Sequence, residues 1–251
     1  MAAAGRADSG SGMTNRRLDR VLVFIPTYND VELLAELSAE LQRLGAMYRT
    51  LIVDDGSSVR VDISTLTPGT MYFRLPTNFG VGIATHVAFD HALRHGYQAV
   101  VRLDADGQHP IEHIPELLEP IQNGEADLVV GIRMNRHEGT SIRAVAASLV
   151  RRYLSLVARL MTRARAPKDV NSGFFAMSTN AISKINRVAL ERYPEPQLYV
   201  LAGRQKLSIV EIPMRQQSRR HRSSTITLGR ALGMFYRFNI FVLGELLQRS
   251  K

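Results

Sequence analysis

The sequence predicts an α/β protein: a mostly parallel sheet with helices on both faces and an amphipathic helix at the C-terminal end. Short apolar runs alternate with segments of helical period from Arg20 onward. The repeated strand–helix–strand order brings parallel strands together by crossovers. Polar clusters follow each of the first four apolar runs, the position at which open parallel sheets bind ligands.

Val21–Ile25 is a continuous apolar run stopped by Pro26 and predicts the first strand. From Asp30 to Leu44, apolar residues at 33, 34, 37, 41 and 44 keep a helical period that ends at Gly45. Thr50–Val53 and Met71–Arg74 predict the next two strands, and Gly82–His95 a helix. Gln98–Leu103, Ile111–Gln122 and Asp127–Ile132 add strand, helix and strand. The polar clusters are Thr27–Asp30, Asp54–Asp55, Asn78–Gly82 and Asp104–Asp106, all expected on one edge of the sheet. A random scatter of turn residues would decorate both edges, so this edge predicts a site.

The most informative cluster is Leu103-Asp-Ala-Asp-Gly-Gln-His-Pro110. An apolar strand ends in two carboxylates one residue apart, and Gly107 and Pro110 supply the turn. Asp104 and Asp106, with the Gln108 amide beside them, suit a hard cation such as Mg²⁺ or Mn²⁺. A cation held by so few protein groups needs phosphate oxygens to complete its shell, which points to a nucleotide-bearing substrate.

Composition narrows the alternatives. The 251 residues are 45% hydrophobic, enough for a substantial core. The absence of cysteine excludes disulfides, thiolate nucleophiles and Cys-ligated zinc. A net charge of +9 favours anionic partners. Nucleic acid is a distant alternative among these, since RNP, zinc-finger and helix-turn-helix signatures are lacking. Gly80-Val-Gly82 could cradle phosphate, but Thr85 leaves the GxGxxG fingerprint incomplete. The His91/His95 and His109/His113 spacings lack a third ligand and predict packed or solvated histidines rather than zinc. Residues 1–19 are small and polar and predict a disordered tail without a signal-peptide h-region.

These motifs together resemble a family-2 glycosyltransferase of the GT-A (Rossmann-like) fold, in the dolichol-phosphate mannosyltransferase-like branch. The residues that carry the resemblance are Ile25-Pro-Thr-Tyr-Asn29, Ile52-Val-Asp-Asp-Gly-Ser57, Asn78-Phe-Gly-Val-Gly82 and the Asp104 motif. Val130–Arg133, Asp169-Val-Asn-Ser-Gly-Phe174, Tyr193-Pro-Glu-Pro196, Val210–Pro213 and Arg222-Ser-Ser224 extend it. It implies transfer of a sugar from a nucleoside diphosphate (GDP- or UDP-linked) to a polyprenyl phosphate such as dolichyl or undecaprenyl phosphate. A soluble or polysaccharide acceptor is the alternative.

By the resemblance, Pro26, Tyr28, Asn29, Asp54, Asp55, Asn78, Gly80 and Gly82 would form the nucleotide pocket. Asp55 would accept from the base, and Asp54 would shape the turn. Asp104, Ala105, Asp106 and Gln108 would surround the diphosphate and its cation, with Asp106 the direct ligand. Asp169 would act as a general base or orient the acceptor. Arg133 would contact acceptor phosphate, with Arg143 and Ser148 as a second pair, and Arg219, Arg222 and Ser223 would close over the diphosphate. Phe175 stands where relatives often carry Arg, and His221 where they often carry Gly.

Two segments bear on the membrane. Ile142–Met161 carries apolar residues at helical spacing with arginines between them, which fits an anionic bilayer surface or a solvated face over a core. Leu228–Leu247 is interrupted by Arg230, Arg237, Asn239 and Glu245, so it predicts an interfacial helix or a homo-oligomer contact rather than a span. The expected organisation is a tail (1–19), a GT-A domain (20–222) and this helical segment (223–251). The expected location is cytoplasmic, peripheral at the inner membrane face.

Overall fold

A computed structural model describes residues 18–134, 142–186, 190–214 and 228–247. Its strands are β1 (Val21–Thr27), β2 (Tyr48–Asp54), β3 (Met71–Arg74), β4 (Ala99–Arg102), β5 (Leu128–Arg133), β6 (Phe175–Ser178) and β7 (Ile209–Met214). Its helices are α1 (Leu34–Leu44), α2 (Val81–Arg94), α3 (Ile114–Gln122), α4 (Ile142–Met161), α5 (Thr179–Ile185), α6 (Pro194–Arg204) and α7 (Leu228–Leu247). The strands form one sheet in the order β3-β2-β1-β4-β6-β5-β7.

The apolar runs are continuous because both faces of the sheet are covered. Leu22 and Phe24 of β1 enter the core beneath α2 and α6, whereas Val21, Val23 and Ile25 enter the core beneath α1 and α3. Helix α1 opens at Leu34 rather than at Asp30. Residues between Thr27 and Leu33 form a turn in which the Thr27 hydroxyl donates to the Asp30 carbonyl at 2.8 Å.

The first four strands pair in parallel, as do β5 and β7. Strand β6 runs antiparallel to both β4 and β5. This reversal was not anticipated: a four-residue apolar run carries no mark of its direction. Residues at the tail boundary also differ from expectation. Leu18 is buried, and the Asp19 and Arg20 amides donate to the Gln98 side-chain oxygen at 2.6 and 3.1 Å.

Helix α7 docks on α4 and α6. Phe238 is buried, and the Tyr153 hydroxyl donates to Asn239 Oδ1 at 2.6 Å. Arg204 pairs with Glu245, and Arg237 with Glu191 at 2.9 Å.

Candidate active site

The loops that leave β1, β2 and β3 are bonded to one another at the C-terminal edge of the sheet. Asn29 adopts a left-handed backbone (φ 58°), and its Oδ1 accepts from the backbone N–H and hydroxyl of Ser58, both at 2.8 Å. Its own N–H donates to Ser57 Oγ at 2.9 Å. Asp54 is fully buried and accepts from Ser57 N–H at 2.8 Å, the Tyr72 hydroxyl at 2.6 Å and Arg74 Nη1 at 3.0 Å. Burial opposes its ionisation, but these donors and the Arg74 charge outweigh burial and hold the carboxyl below its usual range. Asp54 therefore shapes the turn and offers no exposed surface to a ligand.

Asp55 is bonded within the protein. Its two oxygens accept from the backbone N–H groups of Phe79 and Gly80, each at 2.8 Å, tying the β2 loop to the start of α2. Burial dominates and pushes its carboxyl up despite these donors. Asn78 is bonded to Arg192, and a Cβ on Gly80 or Gly82 would collide with the Leu190–Arg192 segment. Around this bonded floor, Pro26 is buried while Tyr28 is about half exposed, so the Tyr28 ring is open to a ligand.

Gly56 makes the turn between the two carboxylates and the α2 loop, with φ 74° and space for a Cβ only 2.6 Å from the Thr77 carbonyl carbon. Gly56→Ala is expected to cost about 2–3 kcal/mol from left-handed strain plus this contact. An unchanged urea midpoint would contradict the tight turn.

Strand β4 delivers Asp104 into a charged cluster. Arg102 is buried at 4% exposure and stands between two carboxylates, 3.1 Å from Asp104 Oδ1 and 2.7 Å from Glu195 Oε1. His109 Nε2 lies 3.1 Å from Asp104 Oδ2, and its ring stacks on Phe174 with centroids 4.8 Å apart. Burial would raise the Asp104 pKa, but the Arg102 charge and the His109 contact hold it far below the ordinary carboxylate range. Glu195 lies in the first turn of α6, so the Tyr193-Pro-Glu-Pro196 motif reaches the carboxylate pair through Arg102. Ala105 is buried, and Asp106 Oδ1 accepts the Gln108 N–H at 3.1 Å.

The Asp169–Phe174 loop completes this edge. Asp169 Oδ1 accepts the Asn171 N–H at 3.1 Å, capping its own turn. Ser172 donates its hydroxyl to the Gly131 carbonyl at 2.6 Å and accepts from Tyr199 at 2.5 Å on its own carbonyl. Gly173 lies against Asp104, where a Cβ would stand 2.9 Å from Oδ2.

The structure thus brings together Tyr28, Asn29, Asp54, Asp55, Asn78, Gly80, Gly82, Asp104, Asp106 and the Asp169 loop. Arg133 ends β5 on the same edge, and Arg143 lies in the first turn of α4; the side chains of both lie outside the description. Arg219, Arg222 and Ser223 also fall outside the described residues. Ser148 is buried in α4. Arg102, Glu195, His109 and Tyr199 were missed. A cation inside the apolar run Val100-Val-Arg-Leu103 was the available signal, because a buried charge needs a partner.

Hard oxygen donors at Asp104 and Asp106 fit a divalent cation, although among the described residues no three acidic or histidine side chains converge as a closed metal cage. Such an incomplete set leaves coordination positions for phosphate oxygens. Asp104 engages Arg102 and His109 with both oxygens.

The family model for glycosyl transferase family 2 matches residues 22–185. Polyprenol monophosphomannose synthase of Mycolicibacterium smegmatis is 34% identical over 142 residues, 53% of this chain and 53% of its own. Dolichol-phosphate mannosyltransferase of Pyrococcus furiosus is 29% identical over 204 residues, 77% of this chain and 55% of its own. The chain spans about half the length of the curated relatives it matches. Among solved structures, Mycobacterium tuberculosis glucosyl-3-phosphoglycerate synthase, crystallised with Mn²⁺, UDP and glucosyl-3-phosphoglycerate, aligns with a TM-score of 0.66 at 19% identity, over 87% of this chain and 76% of that one. That likeness shows the fold, a GT-A sheet. Sheet, strand-end carboxylates and motif order agree with the matched family, and the chain belongs to glycosyl transferase family 2.

Proposed function

We propose that the protein transfers a sugar from a nucleoside diphosphate to a polyprenyl phosphate at an anionic membrane surface. The observation that carries the donor half is the Asp104–Asp106 pair at the end of β4, on the edge where the β1, β2 and β3 loops are bonded together. Tyr28 and the Asp55-anchored loop would receive the nucleoside. Asp106, Asp104 and Gln108 would hold Mg²⁺ or Mn²⁺ against the two phosphates. Such an ion, when bound, neutralises charge on the departing nucleoside diphosphate. In the reaction an acceptor phosphate oxygen bonds to the anomeric carbon, and the bond from that carbon to the diphosphate oxygen breaks, its electron pair leaving with the nucleotide. The acceptor is already an anion, so Asp169 serves to orient the acceptor loop rather than to remove a proton. Arg133, Arg143, Arg219, Arg222 and Ser223 are proposed to add donors around the two phosphate groups.

The acceptor half is supported by the relatives named for polyprenol, undecaprenyl and dolichol phosphate. It is also supported by the outer faces of α4 and α7. Leu149, Leu156 and Leu160 on α4 and Leu232, Tyr236 and Leu243 on α7 are all more than half exposed. The two helices are packed together, with Tyr153 and Phe235 rings 4.9 Å apart, and Arg152 is exposed among the α4 leucines. Exposed apolar side chains flanked by cations suit the interface of an anionic bilayer. Among the described residues, no helix is long and apolar enough to cross a membrane.

The test mixes the protein with Mn²⁺, liposomes containing anionic lipid and undecaprenyl phosphate, and radiolabelled UDP- or GDP-linked hexoses. Label is expected to move into the lipid phase, and the protein to sediment with the liposomes less strongly as salt rises. Sugar transfer to a water-soluble acceptor without sedimentation would replace the polyprenyl acceptor with a soluble one.

A further inference from the structure

Resting on the glycosyl-transfer reading, we infer that the Asn171 carboxamide binds hydroxyl groups of the transferred sugar and helps select it. Both polar atoms of this side chain, Nδ2 and Oδ1, are enclosed and have no hydrogen-bond partner among the described residues. Each such group costs about 1–3 kcal/mol when left unmet, so folded proteins keep few of them and keep them for a reason.

Hydrogen bonds hold the backbone at and beside this residue. The Asn171 N–H is held by Asp169 Oδ1 at 3.1 Å, and Ser172 is pinned through its hydroxyl to Gly131 and through its carbonyl to Tyr199. Gly173, two residues on, abuts the Asp104 carboxylate. The residue as a whole retains some exposure, although the amide atoms themselves are covered.

The chemistry of the vacant bonds selects the ligand. A carboxamide needs an acceptor for Nδ2 and a donor for Oδ1. A fully ionised phosphate offers acceptors only and would leave Oδ1 unmet. A nucleobase edge offers both, but the proposed nucleoside floor lies over β1, β2 and β3, whereas the Asn171 loop enters β6, beyond β4 in the sheet order. Sugar hydroxyls donate and accept, and the transferred sugar hangs from the diphosphate at the Asp104 motif, beside this loop.

The test uses Asn171→Leu, close in shape and without polar atoms. In the ligand-free protein its Tm is expected to rise by about 2–4 °C, because an unmet polar group is removed. Calorimetric titration with Mn²⁺ then compares UDP with UDP-glucose and GDP with GDP-mannose. The bare nucleotide is expected to bind within twofold of wild type, and the matching nucleotide sugar about tenfold more weakly. Asn171→Ala, which adds no bulk, should show the same split. A fall in Tm for Asn171→Leu would mean that the protein or a fixed water already satisfies the amide, and would overturn the proposal. So would equal weakening of nucleotide and nucleotide sugar, or no weakening of either. Wild-type protein that binds none of the four probes would instead overturn the glycosyl-transfer reading, and this inference with it.

Discussion

Arg102→Met is expected to lower stability by about 3–5 kcal/mol, because it strips the cation from two partly buried carboxylates, Asp104 and Glu195. The loss should be measured as a shift in the urea midpoint followed by circular dichroism, since the chain has no tryptophan. Arg102→Lys should fall between, keeping the charge but losing the fork that spans both partners. Adding Glu195→Gln to Arg102→Met should restore part of the loss, because one uncompensated charge is removed with its partner. An unchanged midpoint in Arg102→Met would show that the cluster contributes nothing. The same variant should change the acid limb. Asp104 is held below the usual carboxylate range, so its contribution is present above the unfolded pKa of about 4 and is lost as pH falls through the lower folded value. Without Arg102 the folded value moves up toward the unfolded one, so this loss on acidification should shrink.

Asp106→Ala is expected to reduce metal-dependent donor turnover by about 10³-fold or more while leaving Tm within about 2 °C. The size follows from the several kcal/mol that a cation contributes to a departing diphosphate. The small structural effect is expected because Asp106 is partly exposed and the ion pairs of the buried Arg102 are made to Asp104 and Glu195. Asp104→Ala is the useful contrast: it removes the partner of Arg102 and His109 and should lose both turnover and stability. Full turnover in Asp106→Ala would remove the metal assignment. Activity should also disappear with excess chelator and return with added Mn²⁺.

The donor side of the fold was legible in the sequence because its determinants are local. Apolar runs of four to six residues, helical periods of three and four, and Asp, Asn and Gly after each run place the first four strands and their loops without any long-range information. What each loop residue touches was not legible. Asp55 accepts from the amides of Phe79 and Gly80, residues that local pattern does not bring to it. Arg102 of β4 and Glu195 of α6 have β5 and β6 between them in the chain and meet only in the folded state. The acceptor side depends on such pairings throughout, which is why Asp169 and Asn171 could be named as a motif but not given partners.

The reversed strand β6 gives the two halves of the site different ancestries in the chain. Every loop on the nucleotide side departs from a strand and must close a crossover of restricted length, so its shape is tied to the sheet. The Asp169–Phe174 loop arrives from the opposite direction, after the long excursion through α4, and is anchored to β5 by the Ser172–Gly131 bond and to the rest of the sheet by β6 at its end. Residues can be gained, lost or exchanged along that excursion without changing how β1 to β4 pair. A scaffold of this kind can keep one way of holding an activated sugar while its descendants try many molecules to give it to.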